Sequence, residues 1–198
     1  CVHLIDQRNH GRSFWSDDFS YEFMVEDLKT YTDHHQIASA ILLGHSMGGK
    51  TAMNFALKYS QLVEKLIIAD ISPKYYAPHH QNILAGLASL DFQVIRSRKG
   101  AEEQLSNYIS DFRIRQFLLK NLHWLNNGKL GLRINIGVLK NSGEAIGQAV
   151  HCDKVFDKPT LFMIGSNSNY IDKSIDNRMI TSYFLKTEMI EIKGAGHW

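Results

Sequence analysis

At 198 residues and 44% hydrophobic content, the chain can bury one sizeable core but is short for two independent domains. A formal net charge of +2, with no Lys/Arg run long enough to track phosphates, argues against a dedicated nucleic-acid binder. Two cysteines, Cys1 and Cys152, lack metal-ligand spacing, which argues against a disulfide framework or a zinc site and fits a reducing compartment.

Cys1-Val2-His3-Leu4-Ile5 reads as a buried strand with no lead-in, and Gly196-His197-Trp198 stops directly after a last strand, so the chain is expected to be truncated at both ends. No signal-peptide or transit-peptide pattern opens it, and no apolar run has the length of a transmembrane segment. The polar turn Asp6-Gln7-Arg8-Asn9-His10-Gly11-Arg12-Ser13 suits a loop leaving the carboxyl end of a sheet strand, where open α/β sheets place ligand sites. Ser20 can cap a helix in which Met24, Leu28 and Tyr31 recur at spacings of four and three, with Glu22, Glu26 and Asp27 on other faces. The apolar run Ala40-Ile41-Leu42-Leu43 enters Gly44-His45-Ser46-Met47-Gly48-Gly49, and a helical pattern through Ala52, Met53, Phe55 and Ala56 continues to Tyr59. Leu66-Ile67-Ile68-Ala69 is the next buried strand. Near-continuously apolar strands alternating with helices predict a parallel sheet covered on both faces, hence the α/β class.

From Lys74 to about Phe156 strand-like runs nearly vanish. Helical spacing takes over, as in Ile83-Leu84, Leu87 and Leu90 and again from Phe117-Leu118 to Leu122, which predicts a helical cap inserted over 74–156 into a single domain. The insertion holds eleven Lys/Arg against six Asp/Glu, leaving the rest of the chain net acidic. A solvated surface accounts for this excess; the sharper reading is a basic surface that attracts an acidic acyl carrier or an anionic lipid head group. Alternation resumes at Thr160-Leu161-Phe162-Met163-Ile164 after Pro159 and leads into the polar loop Gly165-Ser166-Asn167-Ser168-Asn169. Ile175, Met179, Ile180, Tyr183 and Phe184 mark one face of a helix, and Glu188-Met189-Ile190-Glu191-Ile192 is the last strand. No internal repeat, low-complexity tract or flexible linker interrupts the chain.

A strand that runs into Gly-X-Ser-X-Gly and straight on into a helix is a nucleophile elbow. Its glycines permit the sharp turn that lifts the serine hydroxyl above the sheet, and the amide of the next residue faces a developing oxyanion. Ser46 is therefore the candidate nucleophile and Met47 N–H the candidate oxyanion donor. A serine needs a base, and His197, in the glycine-flanked loop after the final strand, can reach an elbow serine across the carboxyl edge of the sheet. Serine first and histidine last is the order that α/β-hydrolases use. His45 is expected to pack sideways or donate a hydrogen bond, and the pairs His34-His35 and His79-His80, with no carboxylate or cysteine at ligand spacing, read as surface residues.

The third member must be a carboxylate that orients the imidazole. In most α/β-hydrolases it follows the strand after the cap, three residues past a glycine, but here Ser168 occupies that place. Asp70 ends the strand after the nucleophile helix and would emerge at the same edge as Ser46. Asp172 is the rival, although it can equally cap the following helix; Asp153 and Asp157 remain behind both.

The segments Asp6-Gln7-Arg8-Asn9-His10-Gly11-Arg12-Ser13, Gly44-His45-Ser46-Met47-Gly48-Gly49-Lys50, Asp70-Ile71-Ser72-Pro73, Arg115-Gln116-Phe117-Leu118-Leu119-Lys120-Asn121 and Gly194-Ala195-Gly196-His197-Trp198 resemble the bacterial YbfF-type esterases. They resemble still more closely their eukaryotic branch, the family of abhydrolase-domain-containing protein eleven. The resemblance spans the whole chain and implies an α/β-hydrolase fold that hydrolyses acyl esters or thioesters, with lipid and fatty-acyl substrates favoured. It also implies no cofactor, a mitochondrial location in the eukaryotic branch (the alternative being cytoplasmic), and Asp70 as the acid. A complete member also has an earlier strand ending in a His-Gly loop, which supplies a second oxyanion donor, and a final helix. With neither in the sequence, these 198 residues alone are expected to be inactive. The same fold also supports carbon–carbon bond hydrolysis, haloperoxidase-type chemistry or a non-catalytic ligand-binding role.

Overall fold

A computed structural model describes residues 1–78, 80–126 and 128–198. In chain order the elements are α1 (Tyr21–His34), β1 (Ala40–His45), α2 (Met47–Lys58), β2 (Val63–Ala69), α3 (Gln81–Ala88), α4 (Arg98–Ser106), α5 (Phe112–Leu118), β3 (Leu122–Trp124), β4 (Leu130–Leu132), α6 (Ile136–Asn141), α7 (Gly143–Gly147), β5 (Phe156–Gly165), α8 (Lys173–Tyr183) and β6 (Phe184–Ile192). They divide into two compact units, one of residues 20–76 and 145–197 and one of residues 1–19, 77–144 and Trp198.

The first unit is a parallel sheet with strand order β1-β2-β5-β6 among the described residues. Ser20 caps α1 by accepting from Phe23 N, and α1 turns Met24 and Val25 into the interior. Leu66, Ile68, Phe162 and Ile164 share one sheet face. Their core is completed by Val25 of α1, by Ala52, Met53, Phe55 and Ala56 of α2, and by Ile180 of α8. The fold class is thus the expected one, a parallel sheet with helices packed on it. The helices contribute to one face only among the described residues. On the opposite face the register aligns Leu43, Ile67 and Leu161, with Leu43 67% exposed.

Three further expectations change. Cys1-Val2-His3-Leu4-Ile5 is not a buried strand: it pairs with no strand among the described residues, and Leu4 is 94% exposed, because an apolar run becomes a strand only where a neighbour supplies its ladder. β5 starts earlier than Thr160, at Phe156, and absorbs Pro159 at a register shift, the kind of site where a missing N–H is tolerated. On α8, Ile175 is 72% exposed and the buried residues are Asp176 and Ile180. Asp176 is tolerated inside because Lys74 Nζ (2.8 Å) and Asp172 N (2.9 Å) both donate to it.

In the second unit, α3 to α6 and the antiparallel pair β3-β4 replace sheet by short elements. The loop Asp6–Ser13 belongs to this unit and is tied to residues 133–135 rather than extending a sheet strand. Gly11 N donates to Arg133 O (2.6 Å), Asn135 N to Asn9 O (2.9 Å), and the buried Asn9 amide exchanges hydrogen bonds with Ser16. His34 and His35 are exposed and His80 half-buried; His79 lies outside the described residues.

Candidate active site

β1 ends at His45 and α2 begins at Met47, so Ser46 alone makes the turn. Its φ of 53° is left-handed for a residue with a Cβ, a conformation that costs about 1–3 kcal/mol and persists only where the surroundings enforce it. Gly44 is part of that enforcement, because a Cβ there would lie 2.3 Å from Gly48 O. Ser46 N still donates to Ala69 O (3.2 Å), which fixes the turn to the end of β2. Met47 opens α2, so its amide lies in the first turn, where amides have no intrahelical acceptor and favour negative charge.

Asp70 follows β2 directly and has the same left-handed φ of 53°. Its amide donates to Met163 O (2.8 Å) on β5. The buried carboxylate accepts from His197 Nδ1 (2.8 Å), Gly165 N (3.0 Å) and Ser168 Oγ. Burial works against its ionisation, and the hydrogen bonds from His197, Ser168 and Gly165 outweigh burial, holding its pKa below the usual carboxylate range.

His197 closes the chain of contacts, its Nε2 accepting from Ser46 Oγ at 3.0 Å. With Nδ1–H committed to Asp70, the lone pair on Nε2 points to the serine, the tautomer that proton abstraction requires. The ring is held from the side by Tyr170, stacked at 3.4 Å and 4°. Burial pushes the Tyr170 hydroxyl up to about 12, helped by the Asp70 charge, so it stays protonated. His45 Nε2 donates to His197 O (2.9 Å). Burial, then the neighbouring His197, lower the His45 pKa against the backbone bond and Asp70, favouring its neutral form. A partly exposed hydroxyl, an imidazole within hydrogen-bond reach of it and a buried carboxylate in line can together deprotonate an alcohol and store the proton.

Ser46, His197 and Asp70 are therefore brought together, and Met47 stands beside the first. Asp172 is elsewhere: it accepts from Ser174 N (2.9 Å) as the N-cap of α8. Asp153 and Asp157 are exposed before and at the start of β5. Sequence reasoning did not single out Tyr170, and it read Ser168 only as a missing acid. The signal was present in Ser168, since a hydroxyl at the usual acid position can donate to a carboxylate arriving from another strand. Among the described residues no helix is long and apolar enough to cross a membrane, and no group of three or more His, Cys, Asp or Glu side chains could hold a metal ion.

A serine at a strained strand-to-helix turn, on a parallel sheet, with a histidine after the last strand, defines the α/β-hydrolase class, and the family model for the alpha/beta hydrolase fold matches residues 1–198. The chain belongs to this family. It is 36% identical over 203 residues to the sn-1-specific diacylglycerol lipase ABHD11 of Mus musculus, a match covering all of this chain and 66% of the relative. Esterase YbfF of Escherichia coli strain K12 is 31% identical, with 98% of this chain and 74% of that protein covered. Among solved structures, a marine microorganism esterase superposes with a TM-score of 0.93 at 41% identity, covering 98% of this chain and 77% of that one. The chain thus spans about two thirds of the length of its animal relatives.

Proposed function

We propose that this chain carries the catalytic triad of a cofactor-independent serine hydrolase that cleaves acyl esters or thioesters, with lipid or fatty-acyl groups as substrates. Ser46 attacks the acyl carbonyl while His197 takes its proton, Asp70 orients and stabilises the imidazolium, and Met47 N–H donates a hydrogen bond to the developing oxyanion. Collapse of the tetrahedral intermediate expels the alcohol or thiol, protonated by His197. Water then attacks the acyl-enzyme by the same route and releases the acid. The reading rests above all on the continuous contact Ser46 Oγ, His197 Nε2, His197 Nδ1, Asp70 Oδ2, built on two left-handed turns at one sheet edge. Relatives named as esterases and a diacylglycerol lipase support the choice of ester over other chemistries of the fold. The eukaryotic branch points to a mitochondrial location, which fractionation of tagged protein checks.

A fluorophosphonate probe applied to the intact protein tests the assignment. Labelling is expected at Ser46, lost in Ser46→Ala and kept in Ser106→Ala, a change on the distant helix α4. Labelling that survives Ser46→Ala would remove the basis of the mechanism.

A further inference from the structure

Lys50 has no part in the chemistry above, yet its side chain is the largest of those fully buried, at 1% exposure. It sits on α2 one turn past the elbow. Burying an ammonium is costly unless it is well solvated by the protein, and among the described residues no carboxylate pairs with it. Its Nζ instead donates to three main-chain carbonyls, Lys74 O (2.8 Å), Gly147 O (3.1 Å) and Gln148 O. The rings of Tyr76 and Tyr21 lie 4.9 and 5.7 Å from it. Three carbonyl dipoles and two aromatic rings form a cage for a cation, and the cation is supplied by the chain itself.

The acceptors have a common location. The sheet unit ends at Tyr76 and resumes at Ala145, so Lys74 and Gly147-Gln148 belong to the outgoing and returning stems of the helical segment 77–144. The stems are paired to each other, Tyr76 N donating to Gly147 O (2.8 Å) and Val150 N to Pro73 O (2.8 Å). They run so close that a Cβ on Gly147 would meet Tyr76 O at 2.1 Å. Tyr21 of α1 adds a bond from its hydroxyl to Ile146 O (2.7 Å). From the stem, Tyr76 OH accepts from Ser72 N (2.9 Å) and donates to Tyr170 O (2.6 Å), and Tyr170 is the residue stacked on His197.

We propose that Lys50 is a positioning residue, an internal clasp that fixes the two stems to the nucleophile helix and, through Tyr76 and Tyr170, holds the His197 ring in place. The last step rests on the catalytic reading of His197; the clasp itself does not. Lysine suits the task because its long stem reaches three diverging carbonyls, whereas a carboxylate would repel them and a water would not be tethered to α2.

Amide hydrogen exchange and steady-state kinetics on the intact protein test this together. Lys50→Met keeps the length and removes the donors. It is expected to speed exchange of the Tyr76 and Val150 amides about tenfold or more while the Asp70 amide, bonded within the sheet, keeps its protection. The kcat should fall about ten- to a hundredfold with KM within a few-fold, the pattern of a misplaced base rather than lost binding. Gly147→Ala, which leaves the Lys50 side chain in place but forces apart the stems that carry its acceptors, should reproduce the same local signature. Should Lys50→Met not fold, the wild-type protein gives the answer by NMR, where the Lys50 ammonium protons should exchange far more slowly than those of surface lysines. Unchanged stem exchange, loosening spread evenly over the sheet, an unaltered kcat, or solvent-like exchange of the Lys50 ammonium would each overturn the proposal. If Ser46 proves unreactive, the exchange data still judge the clasp on their own.

Discussion

Asp70 is the residue on which the electrostatics of the site converge. Its carboxylate is buried, which raises the cost of its charge, and three donors repay that cost. Because the folded-state pKa is depressed, the contribution of Asp70 to stability is complete above the ordinary carboxylate range. It is lost as pH falls through the lowered value, from about pH 5 downward. Asp70→Asn is expected to flatten that part of the acid limb in thermal melts, and to lower kcat by about 10⁴-fold, as loss of the orienting acid does in comparable triads. Asp172→Asn should leave kcat unchanged, because Asp172 serves only the N-terminus of α8; near-wild-type turnover in Asp70→Asn would shift the acid elsewhere. Ser168→Ala, removing one donor to Asp70, is expected to cost about tenfold in kcat, read from initial rates. Ser46 and His197 were legible as candidates because each stands in a short glycine-flanked motif next to a strand. Asp70 was legible by elimination and resemblance, since the usual position holds Ser168. Tyr170 was not legible, because a tyrosine in a polar loop carries no pattern, and only the folded chain lays its ring on His197.

Among the elements, the turn between β1 and α2 bears the tightest constraint. Ser46 already occupies a costly backbone conformation, and Gly44 leaves no room for a methyl group against Gly48 O. Gly44→Ala is therefore expected to destabilise the protein by roughly 2 kcal/mol or more, seen as a lower urea midpoint with an unchanged slope, and to abolish labelling of Ser46. This element could be read because its apolar period switches from strand to helix across a single residue. The face of α8 could not. Its Ile175 and Met179 fit the helical period but face solvent, while Asp176 turns inward to meet Lys74 and the Asp172 amide. An ion pair formed between residues 102 apart leaves no local periodic trace. Cys1–Ile5 failed for the converse reason, being apolar enough for a strand and lacking the neighbour that makes one.

At the scale of the molecule, helices supply the core on one face of the sheet, and the other presents Leu43 beside Ile67 and Leu161, with Ile41, Ile190 and Ile192 also exposed. A contiguous apolar face of this kind associates in water. These 198 residues prepared alone are expected to bind a hydrophobic dye and to sediment as more than a monomer, and Ile41→Lys with Leu43→Lys should reduce both. The core itself, all on the opposite face, should keep its far-ultraviolet circular dichroism through that change. The sheet and the order of its elements were readable in the sequence because apolar strands and amphipathic helices alternate; the division of residues 77–144 from the rest lies in contacts, which periodicity does not report. The central claim, that Ser46, His197 and Asp70 act as one nucleophilic unit, is tested most directly by quenching the intact protein within milliseconds of mixing with a p-nitrophenyl acyl ester and locating the acyl group by peptide mass. The mechanism predicts an acyl adduct on Ser46 that forms in a burst, is absent in Ser46→Ala and forms far more slowly in His197→Ala. An ester cleaved at full rate without any adduct on Ser46, or an adduct untouched by the loss of His197, would contradict it.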